Sequence, residues 1–285
     1  MSLHSKGISM LINKEEREIL SDLFQIIKLQ GRNEFISLDN KVKIEQIIAY
    51  LEILHAELRK VSQKRKIILV DSGAGNCYLS FLIYYYYQTI GKRDVEIHCI
   101  DYNERLMNNN RELARRLNFE HMHFYGCDIN DFCMDQKVDV VYSLHACDTA
   151  TDKTMYLGVR HQARIVLSVS CCQNTITMKN QRLKAVLRHK AFRDKTIMMI
   201  SDSLRGLLME QQGYKVDVFD FVSSRYTEKN TMIRSIRTNF KKHLDAKEEY
   251  RIVSEEFRMH PHLEELLANE PVRKELIAPA AEVAV

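Results

Sequence analysis

From Lys66 onward the chain changes rhythm, and that change limits the folds open to it. Short β-branched runs, "KIILVD" (66–71), "VEIHCID" (95–101), "HMHFYGCD" (121–128), "VDVVYSLH" (138–145) and "ARIVLSVS" (163–170), are interspersed with the helical stretches "CYLSFLIYYYYQTI", "NERLMNNNRELARRLN" and "TATDKTMYLGVR". Apolar strands alternating with helices predict a parallel sheet covered on both faces. After a basic helix and "SDSLRGLLMEQQG" come two more strands, "YKVDVFDFV" and "NTMIRSIRT", with only "SSRYTEK" between them. That link is too short for a crossover helix, so the last two strands form an antiparallel hairpin. The sixth strand then runs with the first five, and its loop leaves from their carboxyl edge.

Upstream of this region, "NKEEREILSDLFQIIKLQ" and "VKIEQIIAYLEILHAELRKV" place apolar residues at three- and four-residue spacing, and the polar "GRN" breaks them into two helices. Three segments are expected: helices over 1–62, the sheet domain over 63–238, and a helical extension over 239–285. Hydrophobic content of 45% and charged content of 28% suit a water-soluble chain. No window reaches the roughly 18 unbroken apolar residues of a membrane span, and the N-terminus has no signal-peptide pattern. A cytoplasmic protein with no membrane association is expected. The cysteines (Cys77, Cys99, Cys127, Cys133, Cys147, Cys171, Cys172) are odd in number and none are spaced as C-x-x-C, so neither a disulfide framework nor a structural metal is expected.

The first strand runs into "DSGAGN". A turn that passes straight from strand to helix while letting a ligand approach the main chain needs glycine, here Gly73 and Gly75. A dinucleotide fingerprint would place a third glycine where Tyr78 stands, and that ring argues against a pyrophosphate. S-adenosylmethionine carries no phosphate, and Asp71 suits its cationic end. Asp101 ends the second strand, placed to accept from ribose hydroxyls, with Tyr102 along the adenine. Asp128 follows the third strand, placed to accept from the adenine amino group. Each alone reads as a helix cap, but three acids at the carboxyl ends of successive strands occupy the ligand-binding edge of an open α/β sheet. The expected cofactor residues are Asp71, Gly73, Gly75, Asn76, Asp101, Tyr102, Asn103, Cys127, Asp128, Ile129, Leu144 and His145, with S-adenosyl-L-methionine as the cofactor.

The fourth strand ends in "SLHACDTATD" and the fifth in "SVSCCQN". These motifs resemble the bacterial methyltransferases of the Methyltransf-32 type, relatives of tRNA 2′-O-methyltransferases and of methyltransferase-like proteins. The likeness rests on the glycine turn followed by Tyr78-Leu79-Ser80-Phe81, on Leu144 to Asp152, on Cys171-Cys172, and on Thr227 to Ile233. It covers about 40 to 238. It implies a Rossmann-like class I methyltransferase: a seven-stranded, mostly parallel sheet with a terminal antiparallel hairpin, N-terminal helices and a C-terminal helical tail. The chain departs from the family at Gln173, where a histidine is usual, and at Arg225 and Tyr226, where Glu-His is usual.

Methyl transfer from a sulfonium is an in-line displacement, and a base is needed only when the acceptor must lose a proton. Asp148 and His145 are the candidate bases. Cys171 and Cys172 are candidate nucleophiles, with packing of the cofactor wall as the alternative. The tyrosines 84–87 lie inside a helix, where packing outweighs base stacking. Arg182, Arg225, Tyr226, Lys229 and Asn230 are the candidate acceptor contacts. With the basic segment 179–195 they fit an anionic partner, RNA before a small molecule. The other basic group, Arg59 to Lys66, belongs at the opposite edge. A non-catalytic S-adenosylmethionine- or RNA-binding scaffold is the competing class.

Overall fold

The computed structural model describes residues 12–29, 36–146, 148–170, 178, 180, 182–223, 227, 230–238 and 244–269. The strands are β1 (Ile67–Ser72), β2 (Val95–Asp101), β3 (Met122–Gly126), β4 (Val140–Leu144), β5 (Ile165–Val169), β6 (Tyr214–Asp220) and β7 (Thr231–Arg237). They form one sheet in the order β3-β2-β1-β4-β5-β7-β6. The pairs among β1 to β5 are parallel, and β7 runs antiparallel to both β5 and β6. β6 therefore shares the direction of β1–β5, as the short link to β7 requires. The order reverses beside β1, which creates the switch point where open α/β sheets bind ligands.

Each face of the sheet is covered by helices. On one side lie α1 (Lys14–Ile26), α2 (Leu38–Leu58), α3 (Tyr78–Thr89) and α4 (Glu104–Arg116), whose apolar residues form one cluster with Ile67, Leu69, Val140 and Leu167. α1 starts with a capping box: the Asn13 side chain accepts from Glu16 N–H, and the Glu16 carboxylate accepts from Asn13 N–H. The opposite side carries α5 (Thr149–Arg160), α7 (Lys190–Gln211), α8 (Leu244–Phe257) and α9 (His262–Ala268), which pack on Val70, Val141 and Val166. The short α6 (Lys184–Leu187) lies at the surface with no buried residue.

The N-terminal helices are built into the sheet's own core. Tyr50, fully buried on α2, donates its hydroxyl toward the Leu167 carbonyl at 2.8 Å and the Ser143 carbonyl at 3.2 Å. Those are backbone groups of the two central strands beside the switch point, so α2 is fixed across the carboxyl half of the sheet. Tyr84, Tyr86 and Tyr87 are buried in the same cluster. At the amino edge the basic group is tied down by acids: Lys60 to Glu57, Arg65 to Asp139 and Lys66 to Glu96. Among the described residues no helix is long and apolar enough to cross a membrane.

Candidate active site

β1 delivers Asp71 to the carboxyl edge, and the chain then turns through Gly73 (φ +75) and Gly75 (φ +53), both in the left-handed region where a side chain is strained. A Cβ added at Gly75 would meet nothing within 4 Å, so the turn borders open space. Asn110 of α4 braces it, donating to the Gly75 carbonyl at 2.9 Å. Asp71, Gly73, Gly75, Asn76, Leu144 and His145 line a single cavity of about 280 Å³, together with Ala74, Cys77, Tyr78 and Leu79. That is close to the lower end, about 300 Å³, of small-molecule sites.

Asp71 is buried, and the loss of hydration pushes its carboxyl up to about 7. Its Oδ2 accepts from Ser80 Oγ at 2.5 Å, and Ser80 Oγ lies 2.5 Å from the Tyr142 hydroxyl. The serine of Tyr78-Leu79-Ser80-Phe81 thus orients the acid at the end of the preceding strand. Asp101 reaches the same turn: its Oδ2 accepts from Gly75 N–H at 3.0 Å and its Oδ1 from Asn103 N–H at 2.9 Å. A carboxylate has about four acceptor positions, so both oxygens keep capacity for a ligand hydroxyl. Asn103 caps α4 through its side chain, and Tyr102 stands 85% exposed.

The third acid is placed differently. Asp128 sits just past β3, and its Oδ2 is 2.5 Å from Lys153 Nζ on α5 while its Oδ1 accepts from Asn130 N–H. Burial works against its charge, but the Lys153 hydrogen bond, the Asn130 N–H and the Lys153 charge together outweigh that and hold its carboxyl below the ordinary range. Asp71 and Asp101 therefore meet at the glycine turn, whereas Asp128 is engaged with α5. Cys127 is half-buried, and Ile129 is buried in the cluster on the other face of the sheet.

The run from Leu144 to Asp152 connects β4 to α5; Cys147 lies outside the described residues. His145 and Asp148 both have positive φ, 65° and 57°. Non-glycine residues held there concentrate strain, which is common at functional sites. His145 Nε2 lies 3.2 Å from Gln46 Oε1. Asp148 occupies the N-cap position of α5 without a side-chain cap bond, so it does not cap the helix in the ordinary way. Thr151 donates to the Ala146 carbonyl, and Thr154 Oγ1 lies 3.0 Å from Ser72 Oγ at the end of β1.

Asp152 carries the main structural bond of the motif. It accepts two hydrogen bonds from Arg205 of α7, at 2.9 and 2.8 Å, and Arg205 also reaches Asp202 at 3.0 Å and the Asp148 carbonyl at 3.3 Å. Ser170, after β5, donates to Asp202 at 3.0 Å. Burial raises the Asp202 carboxyl against the pull of Arg205 and Ser170.

Several sequence expectations require correction or fall elsewhere. Asn230, expected as an acceptor contact, is buried, and its side chain donates to the Val222 carbonyl at 2.9 Å, closing the neck of the β6–β7 loop. Arg182 is exposed but paired with Glu256 of α8 at 3.0 Å. Cys171, Cys172, Gln173, Arg225, Tyr226 and Lys229 lie outside the described residues. Sequence reading missed Lys43, Gln46 and Ile47, which bring α2 into the cavity wall, and it missed Asn110 and Arg205. No local spacing marked these residues as partners, because each meets the site from a distant helix.

No curated relative matches the sequence. Among solved structures, the chain is 14% identical to the CMeT domain of the citrinin polyketide synthase, with a TM-score of 0.44 and coverage of 80% of this chain and 58% of that one. It is 12% identical to the CurJ carbon methyltransferase, at TM-score 0.47, covering 79% of this chain and 60% of that one. It is also 12% identical to magnesium protoporphyrin IX methyltransferase (ChlM) of Synechocystis PCC 6803 with bound SAM, at TM-score 0.44, covering 76% of this chain and 91% of that one. The chain thus spans under two thirds of the first and second of these proteins. The fold assignment rests on the strand order, not on these likenesses. Residues 42–179, just under half of the chain, match a family model described as a methyltransferase domain, in line with the resemblance that the glycine turn and the run from Leu144 to Asp152 carry.

Proposed function

We propose that the protein is an S-adenosylmethionine-dependent methyltransferase whose acceptor is RNA. The observation that carries this reading is the cavity at the switch point, where Asp71, Gly73, Gly75, Asn76, Leu144 and His145 come together. The residues suit the cofactor. Asp71, whose carboxyl stands near 7, gains a partner when a ligand ammonium approaches. The Asp101 oxygens each accept one backbone N–H and keep acceptor capacity for ribose hydroxyls, and the open side of Gly75 leaves space for a ligand against the main chain.

S-adenosylmethionine held by Asp71, Asp101 and the glycine turn would supply an activated methyl group for in-line displacement by the acceptor. The chain's own residues hold and orient. His145, positioned by Gln46, and Asp148, at the head of α5, stand at the end of β4 and are the groups available to take an acceptor proton. Arg205 fixes the loop between them through the Asp148 carbonyl.

The RNA acceptor is supported by the surface beyond β5. Lys184, Arg188, Lys190 and Arg193 are exposed there, and the exposed Phe192 stands among them with a ring suited to stacking on a base. A small-molecule acceptor is the competing reading, favoured by α2, whose Lys43, Gln46 and Ile47 narrow the cavity. Transfer of labelled methyl groups from S-adenosylmethionine into total RNA and into a metabolite extract decides between them. Label in RNA alone is the expected result; label only in metabolites overturns the acceptor, and label in neither favours the scaffold reading.

A further inference from the structure

We propose that Glu96, His98 and His123 form a binding site for a divalent transition metal, zinc in type, at the amino edge of the sheet. Glu96 and His98 point to the same face of β2, two residues apart, and the parallel register sets His123 of β3 directly beside His98. Glu96 Oε1 lies 3.1 Å from His98 Nε2 and 3.7 Å from His123 Nε2, and the three ligand atoms all lie within 4.8 Å of one another. Tetrahedral coordination with bonds of about 2.0–2.2 Å separates ligand atoms by about 3.3 Å. The three groups straddle that separation, so side-chain shifts close them on one ion.

The surroundings complete the site. Tyr125 OH is 3.0 Å from His98 Nδ1, so with Nε2 on the metal the Nδ1–H donates to the phenol, the outer bond that ligating histidines ordinarily make. Lys66 Nζ binds Glu96 Oε2 at 3.1 Å and leaves Oε1 to the metal. Glu96 and His98 are buried, whereas the His123 side chain is 33% exposed and opens a path for the ion and for water as fourth ligand. Two imidazoles with one carboxylate favour zinc over magnesium or calcium.

The location separates this site from the cofactor cavity. Glu96 and Asp101 lie at opposite ends of β2, about 16 Å apart at a strand's rise per residue. β3 is an edge strand of the sheet, so an ion shared by β2 and β3 fastens that edge. Cysteine spacing gave no reason to expect a metal, because these ligands come from two strands and meet only through sheet register.

Titration of the chelator-treated full chain with zinc, and separately with cobalt as a spectroscopic probe, tests the proposal without reference to methyl transfer. The expected result is one ion per chain, a rise in melting temperature with zinc, and a cobalt spectrum lacking a thiolate charge-transfer band. His123→Gln should weaken binding by about 100-fold or more and Tyr125→Phe by about tenfold, on the scale of outer-contact losses. Lys66→Met should tighten it by removing a like charge, an effect a purely structural cluster does not produce. Absent stoichiometric binding, a thiolate band, or equal affinity in wild type, His123→Gln and Tyr125→Phe overturns the proposal. If His123→Gln does not fold, the wild-type cobalt spectrum and Tyr125→Phe decide.

Discussion

Arg205 of α7 and Asp152 of α5 form a fully buried two-point ion pair, joined at 2.9 and 2.8 Å. It ends the run that begins at Leu144, and through the Asp148 carbonyl it sets the path of the loop bearing both candidate bases. The last aspartate of the motif therefore acts as an anchor, outside the cavity lining.

Arg205→Met is expected to destabilise the protein by about 3–5 kcal/mol, because it leaves Asp152 and Asp202 buried without their cation. Urea denaturation of the two proteins at neutral pH measures this. A loss under about 1 kcal/mol would mean that the pair contributes little.

Burial raises the Asp71 carboxyl to about 7, against an ordinary value near 3.9. The folded state therefore binds this proton more tightly than the unfolded chain. Its contribution to stability is full below about pH 4 and is lost as pH rises through about 7. Ionisation over the same range should strengthen the attraction for the ammonium of S-adenosylhomocysteine. Affinity measured by calorimetry should rise between pH 6 and 8 in the wild type and stay flat in Asp71→Asn; parallel profiles would contradict the assignment.

Asp148→Asn should lower turnover strongly while cofactor affinity changes by only a few fold, since the amide keeps the side chain's size and loses only its capacity to take a proton. Single-turnover assays alongside S-adenosylhomocysteine titration separate the two effects. Equal loss of both would make Asp148 a structural residue.

Gly75→Ala places a methyl group in the open space beside the turn at φ +53. Backbone strain should cost about 1–2 kcal/mol, which thermal melting reads. Cofactor affinity should fall about tenfold or more, a loss of at least ~1.4 kcal/mol. Unchanged affinity would place the ligand elsewhere.

Charge reversal at Lys184 and Arg188 should weaken RNA binding without altering cofactor affinity. If each contacts a phosphate, the slope of log affinity against log salt should shrink by about 0.7 per contact on single strands. An unchanged slope removes this surface from the acceptor path.

Local pattern was enough to foresee the sheet. The spacing of apolar residues separates strands from helices, the short link between the last two strands demands antiparallel pairing, and a paired glycine turn after β1 signals a ligand edge. These features depend on near neighbours and on backbone geometry, so they are written in contiguous residues. What only the tertiary structure decided involves partners far apart in the chain: Gln46 against His145, Asn110 against Gly75, Arg205 against Asp152, and His98 beside His123. Asp101 and Asp128 looked equivalent as strand-end acids, yet Gly75 claims one and Lys153 the other. Side-chain direction, helix placement and strand register arise from packing the whole core, and no single segment contains that information.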